Sequence, residues 1–512
     1  MVNILKIKTD LKAFNLSSFL GLNNKDDSTQ IADGMAQDLL NVLVTNKEIS
    51  KRYGYTKLNT TEITGSTGIY GLFPFYYANG ASKKLIAVSD TQIYEYIPGT
   101  LSFSSINTGL TTGLRTRAET FHDLLISVNG TDADQKYNGT TSAALGGSPP
   151  ICKYIKLHKN YLFMAGNATY PSRLYWCDLD TPETWNALNF VDVNPNDGDL
   201  ITGIDVSFDS LIITKEYNTY LLYGDTPTYT EGLTLWRIKR ANTSSGSVNQ
   251  GSIAMTGQGL IDLSRNAGVQ VMGGTTTNTD LNFDALRSSM LSADISATMA
   301  GINESRITQA EAINWDNKYI LSLPYGSSTT NNLNLVYDYY AGGWLLWDIP
   351  ANCWCIFRDG GVDNLFFGSC VDGFVHKITK NIYNDNGVAI NAYYKTKDMC
   401  KVGDTDMPSN DKIYRRYYMT LNKSDDFSVT VEHNVDFGDS TDTNTISAQA
   451  SDSLWGTLIW GTGKWGAATT SSTRVDMNER GKYINYKFSN NVLNENFRIR
   501  NLTQYYRLKG SR

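Results

Sequence analysis

The sequence predicts an all-β protein whose largest unit is a β-propeller. Two observations lead to this fold class. The chain of 512 residues contains 31 tyrosines but only 11 prolines, and aromatic and β-branched residues fit a pleated, half-buried sheet better than a helix. In addition, one hairpin pattern recurs along the chain at intervals of roughly 40 to 55 residues, a period typical of propellers, solenoids and arrays.

The recurring unit begins with a polar or glycine-containing pair. A buried-looking run such as LIIT (211–214) or LFFG (365–368) follows, then a turn and an alternating strand. Such breaks between apolar runs are strong hairpin signals. About four strands per unit would suit propeller blades, because blades packed in a ring cover faces that one blade cannot bury alone. An array of β-sandwiches is the alternative. Seven segments follow the pattern: 81–97, 121–139, 158–179, 211–225, 257–274, 315–344 and 362–378.

One segment, at about 281–312, interrupts the β pattern and predicts a short helical insert. Ile295, Met299 and Ile302 follow one another at i, i+4 and i+7, and Ser292 could cap the helix. The apolar stripe has two interpretations. It covers the rim of the propeller, or it contacts a second subunit.

The two ends of the chain differ from the repeats. Residues 1–65 predict an extended N-terminal arm and the first strands, residues 66–384 the propeller, and residues 385–512 a C-terminal β-sandwich-like domain. The last region contains three Trp-Gly pairs, at Trp455, Trp460 and Trp465. These tryptophans are candidates for core or subunit packing, with a sugar-stacking platform as the alternative.

Catalytic patterns are not evident in the sequence. None of His122, His158, His376 and His433 has a partner at metal-ligand spacing, and no nucleophile elbow or phosphate-binding loop is present. The acidic run NPNDGD (194–199) could surround a calcium ion, although a solvated turn is the simpler interpretation. We therefore predict a protein that is not an enzyme and has no catalytic, cofactor-binding or metal-binding residues.

Net charge restricts the mode of contact with DNA. The formal charge is −6, whereas proteins that hold DNA by neutralising phosphates are basic. An acidic conduit would let DNA pass without binding it. The sequence has neither a secretory signal pattern nor an apolar run long enough for a membrane span, so we expect synthesis in the cytoplasm.

Several short motifs resemble one family of viral proteins. In the stretch 32–58 an Asp-containing strand is followed by an Asn-Val strand, a turn and an Arg-x-Gly-Tyr end, and the matching positions are Asp38, Asn41, Val42, Arg52, Gly54 and Tyr55. Further similar stretches follow in order at 172–185, 211–225, 244–274, 335–344 and 365–378. Together they resemble the tail nozzle or hub proteins of short-tailed bacteriophages, a family that includes packaged-DNA stabilisation proteins and tail tubular protein B.

The resemblance implies a structural virion protein of the phage tail. Copies of the chain, six in the form we expect, would form a ring around the DNA channel below the portal-adaptor. The ring would retain genomic DNA, conduct it at infection without sequence specificity, and contact portal-adaptor proteins, tail proteins, and tail fibres or tip proteins. No cofactor or small-molecule substrate is expected. The alternatives are a glycan-binding or glycan-degrading propeller, and a neck or baseplate protein of another phage type.

Overall fold

The structure, a computed structural model, describes residues 11–80, 82–207, 209–241, 245–273, 287–422, 426–438, 442–448 and 470–509. Almost all regular secondary structure in these residues is β-strand, which confirms the predicted all-β class. No helix in these ranges is long and apolar enough to cross a membrane. Trp455, Trp460 and Trp465 lie outside the described residues, so their predicted packing role stays a prediction.

Five strands precede the repeats. They are β1 (Lys12–Leu16), β2 (Ala36–Leu40), β3 (Val42–Thr45), β4 (Glu48–Lys51) and β5 (Tyr55–Lys57).

The repeats fold into seven consecutive antiparallel sheets, which we name I to VII. Sheet I comprises β6 (Ile69–Tyr76), β7 (Lys83–Ser89), β8 (Gln92–Ile97) and β9 (Ser102–Thr108). Sheet II comprises β10 (Arg117–Phe121), β11 (Leu124–Val128), β12 (Gln135–Tyr137) and β13 (Ser142–Ala144). Sheet III comprises β14 (Tyr154–His158), β15 (Tyr161–Ala165), β16 (Arg173–Trp176) and β17 (Phe190–Asp192). Sheet IV comprises β18 (Ile201–Ser207), β19 (Ser210–Lys215), β20 (Thr219–Tyr223) and β21 (Arg237–Arg240).

The remaining three sheets continue the series. Sheet V comprises β22 (Ala254–Thr256), β23 (Gly259–Ser264), β24 (Gly268–Gly273) and β25 (Arg287–Met290). Sheet VI comprises β26 (Glu311–Trp315), β27 (Lys318–Leu323), β28 (Leu333–Asp338) and β29 (Gly343–Trp347). Sheet VII comprises β30 (Ala351–Asp359), β31 (Val362–Ser369) and β32 (Val375–Ile378), to which β5, β33 (Asn384–Asp385) and β34 (Val388–Ala389) are added.

The predicted hairpins are the second and third strands of these sheets. The second strand is buried along most or all of its length in every sheet, as in β15, β19, β23 and β27. A strand covered on both faces needs apolar side chains on both, which explains the continuous apolar runs. The polar pairs that precede these runs include His122-Asp123, Lys159-Asn160 and Asp316-Asn317, in which both residues have positive φ, as tight two-residue hairpin turns require.

Neighbouring sheets contact one another through their first strands. Strand β6 contacts β10, β10 contacts β14, and β14 contacts β18. A short 3-10 segment, Gln250–Ser252, contacts both β18 and β26, and β26 contacts β30. Strand β30 then contacts β6, so the seventh sheet returns to the first. This succession is consistent with the predicted β-propeller.

The helical insert is shorter than predicted. Residues Arg287–Met290, inside the predicted insert, form the last strand of sheet V. Helical turns follow in the order Ser292–Ile295 (3-10), α1 (Ser296–Ala300) and Glu304–Gln309 (3-10), and they lead into sheet VI. Ser292 does not cap a helix; its hydroxyl accepts a hydrogen bond from the Val269 amide at 3.1 Å.

The C-terminal region supplies a second unit of two facing sheets. The strands are β35 (Ala392–Thr396), β36 (Lys401–Val402), β37 (Thr405–Asp406), β38 (Lys412–Asn422), β39 (Phe427–Val435), β40 (Asp442–Ala448), β41 (Thr470–Gly481), β42 (Ile484–Asn490) and β43 (Arg498–Leu508). Sheet A has the order β3-β4-β43-β38-β41, with β1 also paired to β43, and sheet B has the order β2-β35-β42-β39-β40. Four strands from residues 12–51, within the segment predicted as an arm, thus belong to these sheets.

Packing in this unit follows the two-residue period of half-buried strands. In β38 and β39 buried residues alternate with partly exposed ones, as expected where one face of a sheet is covered. The Tyr417 and Tyr486 rings from opposite sheets meet edge to face at 5.4 Å between centroids. The same hydrophobic cluster extends to Trp344 and Trp347 of sheet VI, so one core joins the two units.

A buried histidine marks the seam at which the chain joins sheet VII to its N-terminal strand. Strand β5 pairs with β32, with Lys57 opposite His376. The His376 ring lies 4.9 Å from both the Phe367 and the Tyr55 rings. Burial lowers the pKa of His376 to about 4.

We predict that acid weakens this seam. An unfolded histidine takes up its proton near pH 6.5, whereas His376 in the folded protein does so only near pH 4. The unfolded state therefore binds more protons between these values, and the free energy of unfolding falls as the pH decreases through this window. In His376→Phe the decrease in the free energy of unfolding from pH 7 to pH 5 should be about 2 kcal/mol smaller than in the wild type. Urea unfolding at both pH values measures this decrease.

The matched control is His122→Phe, at a histidine whose side chain is 53% exposed. The same change of pH dependence in both variants would show that the effect is not specific to the buried ring. Equal pH dependence in wild type and His376→Phe would contradict the assignment.

Candidate functional site

A cavity of about 750 Å³ lies where the seven sheets converge. Its wall includes residues on or next to the first strands of several sheets, such as Tyr70, Tyr154, Thr202 and Asn352. Five cationic side chains also line it: Arg115, Arg117, Lys153, Arg265 and Arg306.

Two of the arginines share one carboxylate. Arg117 donates to Glu311 through both terminal nitrogens, at 2.6 and 2.8 Å, and Arg115 donates to the same group at 3.3 Å. Arg115 also donates to the Asn352 side-chain oxygen at 2.7 Å, and Asn352 in turn donates to the Ile69 carbonyl at 2.8 Å. The group therefore fixes sheets II, VI, VII and I relative to one another.

Burial and charge have opposite effects on these two arginines. Burial lowers the pKa of Arg115, and attraction to Glu311 offsets this only in part. For Arg117 burial is also the largest influence, but the ion pair and hydrogen bonds with Glu311 outweigh it and raise the pKa. Gly251 leaves room for the pair, because a Cβ atom there would lie 2.1 Å from Arg117 and 2.2 Å from Glu311.

The cavity carries an excess of positive charge. Arg265 is neutralised by Glu216 at 2.9 Å and by Glu304 at 3.0 Å. Within the described ranges, no carboxylate lies within ion-pair distance of Lys153 or Arg306. A cavity with this lining is suited to attract anions, even though the whole chain has a net charge of −6.

A second group of buried charges lies at the junction of the two units. Arg52, which is 1% exposed, donates to both oxygens of Asp385 at 2.9 and 2.6 Å and to Asp348 at 2.9 Å. Its Nε donates to the Asn41 side chain at 2.8 Å. Burial alone would lower the pKa of Arg52, but the ion pairs with Asp385 and Asp348 outweigh burial and raise it.

The backbone beside Arg52 is equally close-packed. A Cβ atom on Gly54 would lie 1.9 Å from the Asn384 carbonyl oxygen, so only glycine fits where the two chain segments cross. Asn41 has a positive φ of 56° and donates to the Asn391 carbonyl at 2.9 Å. The Val42 carbonyl accepts from the Trp347 indole at 3.1 Å.

The acidic run NPNDGD surrounds an internal ammonium group. Lys215, whose side chain is fully buried, donates to both oxygens of Asp197 at 2.8 Å. It also donates to the Asn194 and Asp199 carbonyls, each at 3.2 Å. The loop therefore already holds a positive charge, at the place where the sequence allowed a calcium ion or a solvated turn.

The predicted apolar stripe faces the interior of its own chain. Ile295 is 0% and Ile302 7% exposed, and Met299 is half-buried against the same cluster. These positions thus lie where the packing interpretation puts them. A role of the three residues in contacts between subunits stays a prediction.

A shallower groove of about 480 Å³ lies between sheets III and IV, away from the first strands. Trp176, Phe190 and Trp236 line it, and the Arg173 guanidinium lies 3.7 Å from the Phe190 ring centroid. Aromatic side chains in this groove come from outer strands and loops of the sheets, and no sequence motif predicted a site there.

We predict that loss of Arg52 destabilises the protein strongly. Arg52→Ala should lower the free energy of unfolding by about 3–5 kcal/mol, because Asp385 and Asp348 would lose the cation that they share. Arg358→Ala is the control, since the Arg358–Asp363 pair is 59% and 47% exposed and such pairs contribute about 1 kcal/mol or less. Urea unfolding measures both, and equal effects would contradict the assignment.

We expect a similar loss of stability when the shared carboxylate in the cavity is removed. Glu311→Gln removes the negative charge between two partly buried guanidinium groups, so the free energy of unfolding should fall by about 3–5 kcal/mol. Glu216→Gln removes a pair that is 27–31% exposed and should cost about 1 kcal/mol or less. Unfolding by guanidinium chloride measures the stability of the wild type and both variants. An unchanged free energy of unfolding in Glu311→Gln would show that the arginines do not depend on Glu311.

Comparison with known proteins gives only distant structural likeness. No protein-family model matches the chain, and no curated protein matches it. BBS1N, solved in complex with ARL6DN, is 11% identical over 64% of this chain and 98% of its own, with a TM-score of 0.40. BamB from Moraxella catarrhalis is 10% identical over 66% of this chain and 95% of its own, with a TM-score of 0.38. At these TM-scores neither likeness supports a conclusion about function.

Proposed function

We propose that this chain is a structural subunit of a bacteriophage tail. In this proposal sheets I to VII are the blades of a closed propeller. Copies of the chain form a ring of six around the DNA channel below the portal-adaptor. The ring retains the genome and conducts it at infection.

The junction around Arg52 is the observation that carries the proposal. Arg52, Gly54, Asn41 and Val42 belong to the positions that resemble the phage nozzle family, and all four make contacts there. Tyr55, a fifth such position, begins the strand that pairs with β32. The resemblance thus falls on residues that join the propeller-like sheets to sheets A and B, and it indicates a common architecture.

A rigid junction suits a protein that bears load. The chain passes between the two units twice, at residues 52–54 and 386–391, and the two crossings lie side by side. One hydrophobic cluster continues from sheet VI into sheets A and B. Relative motion of the units would break the Arg52 ion pairs and open this core, so a force on one unit is transmitted to the other.

The ring would need lateral contact surfaces. Exposed apolar side chains on loops are the candidates, chiefly Leu188 at 80%, Tyr229 at 82% and Tyr340 at 87% exposure. The lumen of the ring would lie between subunits and is distinct from the basic cavity inside each chain. An acidic surface there would repel phosphates and let DNA slide.

Two alternatives have specific support. A neck or baseplate protein of another phage type would use the same rigid junction. A glycan-binding propeller is favoured by the aromatic groove at Trp176, Phe190 and Trp236, because sugars stack on aromatic rings. The carboxylates near the central cavity are less suited to glycan hydrolysis, since both oxygens of Glu311 accept from guanidinium groups.

The test is immunogold labelling of intact virions with an antibody raised against the full chain. The proposal predicts gold at the distal part of the tail, and antibody absorbed with the purified protein is the control. Gold at the neck would move the protein to a connector role. Virions without label would overturn the structural role and would make the glycan-binding alternative the next one to test.

A further inference from the structure

Three potential metal ligands meet at one end of the interface between sheets A and B. They are His433 on β39, Asp442 on β40 and Glu479 on β41, and their ligand atoms lie within 4.8 Å of one another. His433 is buried, Glu479 half-buried and Asp442 exposed. The cluster therefore extends from the core to the surface.

Strand register explains how the three residues meet. His433 and Asp442 are directly opposite each other in the antiparallel pair β39–β40, where side chains on one face come within contact distance. Glu479 lies on β41 of the other sheet, on the same face as Val475 and Met477, which pack against the core. Strand β41 contacts both β39 and β40, so the cluster connects sheet A with sheet B.

The two carboxylates have no cationic partner in the described part of the chain. No lysine or arginine there lies within ion-pair distance of Asp442 or Glu479, whereas neighbouring acids are paired: Glu432 with Lys487 at 3.6 Å and Asp476 with Arg474 at 2.6 Å. Two carboxylates this close repel each other unless a cation lies between them.

Aromatic rings lie near the imidazole of His433. The Tyr417 and Tyr486 rings lie 6.5 and 6.3 Å from it between centroids. Burial lowers the pKa of His433, and the nearby Asp442 and Glu479 offset this only in part.

We propose that His433, Asp442 and Glu479 bind a divalent transition-metal ion. One imidazole nitrogen and two carboxylate oxygens are ligands that Zn²⁺ and related ions accept, and the two carboxylates match the charge of the ion. Three protein ligands leave at least one coordination position for water. The ion would connect the two sheets and would remove the repulsion between the carboxylates.

The experiment is titration of the EDTA-treated, dialysed full-length protein with ZnCl₂ by isothermal calorimetry. We expect one ion per chain and a rise in the unfolding temperature, because a ligand that binds only the folded state stabilises it. Asp442→Asn and Glu479→Gln should each weaken binding at least about 10-fold. Asp442 is exposed, so its substitution tests binding without disturbing the core.

Matched controls lie on the same strands. Glu432→Gln, next to His433, and Asp476→Asn, three residues before Glu479, remove one carboxylate each outside the cluster and should leave Zn²⁺ affinity unchanged. Absence of Zn²⁺ binding would overturn the proposal. So would binding that is equally strong in the wild type, Asp442→Asn and Glu479→Gln, because the ion would then be held elsewhere on the chain.

Discussion

The pairing of a three-residue strand, β5, with β32 is the constraint on which the rest of the architecture depends. Without it sheet VII would end in an exposed edge, and unpaired edges of this kind are liable to pair with other chains. The strand also fixes the direction in which the chain continues. Residues before β5 enter sheets A and B, whereas residues after it enter sheet I. The same short pairing thus connects sheet VII with the N-terminal strands and positions the second unit against it.

Hydrogen bonds from Arg52 fix the orientation of the chain segments that meet beside this pairing. A buried ion pair is weak evidence for stability, because apolar side chains of similar volume often stabilise a core as well. An apolar side chain, however, has no directional bonds. The planar guanidinium of Arg52 reaches Asp348 after sheet VI, Asp385 at the edge of sheet VII and Asn41 between β2 and β3. Its contribution is therefore orientation: three segments far apart in sequence can meet it in one arrangement only.

The sequence predicted the local part of the fold and missed the distant part, for a physical reason. Turn pairs and apolar runs act over about ten residues, so the seven hairpins could be located from the residues alone. Pairing between strands far apart has no local signal: Lys12 pairs with Tyr506, and Ile49 pairs with Ile499. The segment interpreted as an arm therefore contains strands whose partners lie at the opposite end of the chain. The pattern of Arg287–Met290 was likewise too short to distinguish a strand from a helix.

The positions of the charged residues in the fold could not be predicted from the sequence either. A net charge of −6 correctly describes the average of the chain, yet Arg115 and Arg117, before and at the start of β10, line a cavity with Lys153, Arg265 and Arg306. The acidic run at 194–199 encloses the ammonium group of Lys215. Lys215 is the last residue of β19, directly after the apolar run at 211–214. Arg115 and Arg117 are only two residues apart, at the entry to β10, and both reach Glu311. That spacing is a usable signal, but it acquires meaning only when the fold brings Glu311 to it from nearly two hundred residues away.

Two groups of buried or partly buried ions lie where segments from distant parts of the chain meet. These are the Arg52 group and the Arg115–Arg117–Glu311 group, whereas the Lys215 loop connects residues that are close in sequence. Hydrophobic contact can hold such strands together but tolerates slippage, whereas a hydrogen-bonded ion that loses its partner is costly. Intrinsic β propensity does not determine which residues of two strands lie opposite each other. The buried ion pairs help to determine it. In the proposed ring each copy would have to present the same surfaces to its neighbours, and buried ions that fix one arrangement of the strands would serve that requirement.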